Sequence, residues 1–144
     1  MNGRLIRSVF WILVGVFVII ACTMFIPTLN GLVIRFIILP AGVVLAGLGV
    51  TLIVLTVKKK VRGIRKKFLL LTGASAVGIP VFVILHNLVY ALLILWFGED
   101  FWGGSGDEPV FFIMAIIVCP IGFLVGAVGS VVLAIKNKRA KYSS

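Results

Sequence analysis

The chain has 144 residues, 62% of them apolar and 12% charged, with a mean hydropathy of +1.27; a soluble domain has about 45–50% apolar and about 25% charged residues. So little polar surface, gathered into a few short stretches, excludes a water-soluble enzyme, a disordered tail and a secreted disulfide scaffold, and points to an integral membrane protein. The net charge is +10, from 14 Lys and Arg against 4 acids, and its placement decides what it means.

Four apolar runs are predicted as spans, at 8–26, 36–57, 68–97 and 110–135. Each approaches or exceeds the roughly 20 residues a bilayer helix needs. None alternates as a transmembrane strand would. Arg4 and Arg7 precede the first span, and Phe10 and Trp11 open it as an interfacial pair. Within it, Ile19-Ile20-Ala21-Cys22 resembles a bacterial lipoprotein processing site. Hydrophobicity continues through Met24, Phe25 and Ile26, however, and leucine is missing from the usual third position before the cysteine. The run is therefore taken as a retained span. Cys22 and Cys119 both fall in apolar runs and are expected to be buried, unbridged thiols.

A connector carrying Arg35 leads to the second span, and seven basic residues fill the loop 58–67 (KKKVRGIRKK). The third span is long, about 45 Å as a straight helix against about 30 Å of hydrocarbon. Pro80 inside it predicts a kink or tilt. All four acids, Glu99, Asp100, Asp107 and Glu108, fall in the loop 98–109, flanked by Trp96, Phe97, Phe101, Trp102, Phe111 and Phe112. That loop is expected to be solvated, and weak binding of a divalent cation by its carboxylates is the lesser alternative. Lys136, Lys138, Arg139 and Lys141 follow the last span.

With both termini and loop 58–67 on one side, that side holds 13 basic residues and no acid. The positive-inside rule then places it in the cytoplasm, with loop 98–109 outside. The expected location is the plasma membrane of a prokaryote. The basic loop is chiefly this orientation signal; attraction of anionic lipid headgroups is the functional alternative. Nucleic acid is not an expected partner, because no aromatic or loop platform accompanies the charge.

Spans two and four match without gaps at an offset of 80 residues: Pro40 with Pro120, Gly42 with Gly122, Ala46 with Gly126, Gly49 with Gly129, and Lys58–Lys59 with Lys138–Arg139. This predicts two similar two-helix hairpins in parallel relation. The same residues supply small-residue faces for close helix packing: Gly42, Ala46 and Gly49 in span two, Ala74 and Gly78 in span three, and Gly122, Gly126, Gly129 and Ser130 in span four. They serve packing within the bundle or, in the sharper alternative, homo-oligomerisation through span four.

His86, with Asn87 beside it and Tyr90 one turn on, is the polar group inside the spans from which function would be expected. Hydrogen bonds to Thr51 or Ser130 on neighbouring helices are the structural expectation. A single axial ligand to a haem is the weakest alternative, and no cofactor or metal is predicted. No acid lies inside a span, so the embedded carboxylate of small multidrug exporters is missing. There is no phosphate loop, no zinc-protease motif and no Cys-x-x-Cys. The expected fold is thus all-α, one membrane domain over 1–144 built as a four-helix bundle. The expected role is non-enzymatic: an accessory, structural or assembly subunit packed against other membrane proteins or its own copies. The alternative is a small transporter or channel with a path near His86, Asn87 and Tyr90.

Overall fold

The structure, a computed structural model, describes residues 2–24, 31–98, 101 and 108–142. These form α1 (Asn2–Met24), α2 (Gly31–Lys58), α3 (Ile64–Phe97), α4 (Pro109–Ile113), a π-helical turn (Met114–Val118) and α5 (Cys119–Tyr142). No strand occurs among the described residues. Four helical stretches are long and apolar enough to cross a membrane: Arg4–Thr23, Ile38–Lys58, Ile64–Phe97 and Pro109–Asn137. The last runs through α4, the π turn and α5.

The helices outrun the apolar runs that announce them, because Lys and Arg are good helix formers and do not stop a helix where hydrophobicity stops. Arg4 and Arg7 are helical, Arg35 belongs to the first turns of α2, and Arg65, Lys66 and Lys67 belong to α3. The expected ten-residue basic loop therefore contracts to a turn over residues 59–63. Its geometry is a Schellman cap. Val61 N–H donates to Thr56 O at 3.2 Å and Lys60 N–H to Val57 O at 3.0 Å, with Lys60 in the left-handed region at φ 49°. Gly63, at φ 72°, then starts α3, and Lys66 N–H donates to its carbonyl at 3.1 Å.

Helix α3 has 34 residues, about 51 Å at 1.5 Å per residue, and it continues through Pro80 as α2 continues through Pro40. The third proline has a visible local effect. Pro120 has no N–H to give to the preceding turn, and just upstream the ladder widens, so that Cys119 N–H donates to Met114 O, five residues back.

Both α2 and α5 pack on α3, and α1 packs on α2. Helix α1 reaches α5 through stacked Phe17 and Phe123, 4.1 Å between centroids. The core gathers Ile6, Phe10 and Leu13 from α1, Leu45 and Leu52 from α2, Leu69 and Ala76 from α3, and Phe123 and Ala127 from α5. Phe10 is thus a core residue, and only Trp11 beside it is exposed. The residue number alone did not reveal which of two adjacent aromatics lay on the inward face. Of the two free cysteines Cys119 is buried as expected, but Cys22 is exposed on α1.

Candidate functional site

Two features stand out in the helix interfaces: the glycine contacts along α3 and a polar junction at the end of α3 that meets α4. A β-carbon added at Gly49 would lie 2.8 Å from Gly73 O, and one added at Gly73 would lie 2.9 Å from Gly49 O. Helices α2 and α3 therefore meet backbone to backbone, which only glycine permits. Toward α5, a β-carbon at Gly126 would lie 2.7 Å from Thr72 N and 2.9 Å from Phe68 O. At Gly122 it would meet Ser75 Oγ at 2.6 Å, at Gly129 the Phe68 ring at 2.5 Å, and at Gly78 the Cys119 sulfur at 2.7 Å. Gly42 is looser, 3.8 Å from Pro80 Cβ by the same measure.

The glycines that match across the 80-residue offset thus face the same helix, α3, from its two sides. Gly42 and Gly49 of α2 turn to α3 and not to α1, the helix with which α2 would form its own hairpin. Ala46 is half-buried, whereas Ala74 is exposed. The α3 contribution to the α2 seam comes from Gly73 and Ala76, which the four-residue spacing had passed over. Residues 72–76 (Thr-Gly-Ala-Ser-Ala) are five small residues in a row. Small size alone could not choose a face there, and burial of 72, 73, 75 and 76 shows that α3 uses two faces at once.

At the junction, Glu108 is buried, 5% exposed, and not a solvated loop residue. Its Oε1 accepts from Val110 N–H at 2.8 Å and its Oε2 from Phe111 N–H at 2.9 Å, capping α4 with Pro109 at its first position. The positive end of a helix suits a carboxylate, and Pro at the first helical position after it is the sequence signal that could have revealed the cap. His86 Nδ1 lies 2.9 Å from Glu108 O and 3.4 Å from its Oε2. Both neighbours are acceptors, so Nδ1 carries the proton and donates. Phe112 tilts over the imidazole at 5.5 Å, and Phe82 stacks with Phe111 at 6.1 Å.

The expected partners of His86 are occupied elsewhere or distant from it. Thr51 is exposed and donates to Gly47 O of its own helix at 2.7 Å. Ser130 is buried without a hydrogen-bond partner. Asn87 faces away from the bundle and donates to Val83 O at 2.8 Å, while Tyr90 is half-buried on the face of His86. Glu99, Asp100, Trp102 and Asp107 lie outside the described residues. Among the described residues no group of three metal-ligating side chains comes together. Comparison with family models, with curated proteins and with solved structures returns no match.

Proposed function

We propose that the chain is an integral membrane protein of a prokaryotic plasma membrane, a single domain with both termini and the 59–63 turn in the cytoplasm. In this reading it works without catalysis, as an accessory or assembly subunit packed against other membrane proteins. The orientation is supported by the separation of basic and acidic residues between the two ends. The role is supported by one observation above all: α3 is in backbone contact with a neighbour on each side. That close packing leaves the helix seams rich in glycine and short hydroxyl side chains, and among the described residues no row of ionisable groups lines them.

The test has two parts. Reporter fusions after Lys60 and Lys141 are expected in the cytoplasm and one within 103–106 outside; a cytoplasmic signal from 103–106 overturns the orientation. Affinity purification in mild detergent is expected to recover a defined membrane-protein partner, or a second copy, in fixed stoichiometry. A monomer alone after crosslinking in intact membranes would sink the accessory role.

The His86–Glu108 junction favours one second reading, a small transporter, because an ionisable pair inside or beside a span is where proton-coupled movement would act. Proteoliposomes loaded with a pH-sensitive dye separate the two. A proton leak lost in His86→Gln, with the fold intact, would support transport; no flux in the parent protein would dismiss it.

A further inference from the structure

At the basic end of the bundle a cavity of about 340 Å³ opens between α1 and α5, with α3 behind it. Arg7 and Trp11 line it from α1, Arg65 and Leu69 from α3, and Ser130 and Val131 from α5. We propose that this cavity is a binding site for one anionic glycerophospholipid, held by its phosphate. The proposal goes beyond the accessory role but rests on the membrane placement proposed above.

Four observations converge on it. The lining includes two arginines, Arg7 and Arg65, whose planar guanidinium donor forks match phosphate oxygens. Among the described residues no Asp or Glu lines the cavity to neutralise them, and in sequence all four acids fall within 99–108. Glu108, the nearest in sequence to α5, sits about 33 Å from Ser130 along the same helical column at 1.5 Å per residue. Ser130 is 6% exposed, its hydroxyl has no hydrogen-bond partner, and it lines this cavity. That oxygen is enclosed where it stands; a buried hydroxyl left without a partner is costly, and a turn about χ1 would present it to an ester or phosphate oxygen of a bound lipid. The remaining lining is apolar, as an acyl chain requires and a small soluble phosphate does not. The volume suits a headgroup and the start of one chain, being near the lower end of the roughly 300–1,000 Å³ of ligand sites. Basic pockets between membrane helices on the cytoplasmic side are a known mode of anionic lipid recognition.

A second buried unpartnered hydroxyl among the described residues, Thr56 Oγ1, provides an internal control because it does not line the cavity. The experiment reconstitutes the full chain in phosphatidylcholine nanodiscs and titrates in phosphatidylglycerol, reading thermal stability and, by native mass spectrometry, retained lipid. The parent protein is expected to show a saturable rise in Tm and one retained phosphatidylglycerol. R7A/R65A is expected to weaken the apparent affinity about tenfold or more, as loss of charge-assisted hydrogen bonds implies. K59A/R62A removes the same charge from exposed positions outside the cavity and is expected to leave it unchanged. Ser130→Ala is expected to shrink the lipid-dependent rise, and Thr56→Val to preserve it.

Equal losses in the two double variants would reduce the effect to general surface charge and overturn the site. So would no response to phosphatidylglycerol in a protein that enters the nanodiscs. A matching rise with soluble glycerol phosphate in lipid-free detergent would replace the lipid by a soluble phosphoester and overturn the proposal as stated. Failure to enter any nanodisc would instead defeat the membrane placement, and the lipid site with it.

Discussion

Toward α2, helix α3 presents Gly73, Ala76 and Val77, and glycine meets glycine; toward α5 it presents Phe68, Thr72, Ser75 and Gly78, and the seam glycines except Gly78 are on the other helix. On the α2 side the atom closest to Gly49 is the carbonyl oxygen of Gly73, which cannot swing aside as a side chain can. On the α5 side the closest atoms are mostly side chains, and only Gly126 is pressed against backbone. Equal closeness therefore does not mean equal tolerance. A seam between two backbones fails at the first added carbon, whereas a seam between backbone and side chain can yield by rotation of a rotamer.

The sharpest break should come from Gly126→Leu. It forces a branched side chain against Thr72 N and Phe68 O, so the loss is expected at or above about 3 kcal/mol, the upper end of ordinary overpacking. Melting and size-exclusion of the protein in detergent measure it; unchanged values would mean that this face of α5 does not pack on α3. Gly49→Ala should cost about 1–3 kcal/mol by the same mechanism. Combining it with Gly73→Ala should cost less than the sum, because both methyl groups contest one gap.

The junction at the far end of α3 tests the α5 side by polarity and not by volume. Glu108→Ala removes an N-cap and should cost about 1 kcal/mol. His86→Leu should cost about 0.6–1.7 kcal/mol, the span from average to largest for hydrogen bonds between membrane helices, and His86→Gln much less. A Glu108→Ala protein as stable as its parent would show that the cap does not hold α4 to α3. Gly122→Ala should cost about 1 kcal/mol or less, since Ser75 Oγ can turn away. A penalty as large as that of Gly49→Ala would erase the distinction between the two seams. Lys60→Gly, in the turn that joins α2 to α3, should raise stability by about half a kcal/mol, the left-handed strain relieved being partly offset by glycine's entropy.

The helices were legible because their signal is additive: twenty apolar residues in a row outweigh any local detail, and the ends blurred only where Lys and Arg prolonged them. The glycines of α2 and α5 were legible from regular spacing next to larger residues. Gly73 was not, since it sits in a run where every residue is small. Glu108 was missed for a different reason. A carboxylate in an acidic, glycine-rich stretch looks solvated until the helix it caps and the histidine 22 positions earlier are placed beside it. That pairing depends on where α3 ends relative to α4, which periodicity along one helix does not encode. Ser130 was picked out for its size, while its interest lies in an unpartnered hydroxyl that only packing reveals.

Among the described glycines, α1 contributes none to a close seam. Gly15 has open space where a β-carbon would stand, and α1 is held by interdigitated side chains such as Leu13 and Phe17. Helices α2, α3 and α5 are keyed together at glycines, backbone to backbone at Gly49–Gly73 and at Gly126, and so form the tighter frame. Side-chain contacts release gradually, so α1 is expected to be the first helix of the bundle to loosen. Under mechanical load or thermal opening it should part from the frame before the frame itself gives, and amide exchange should be fastest along α1. The cavity between α1 and α5 would then widen or narrow with the position of one helix, while the rest of the bundle keeps its shape.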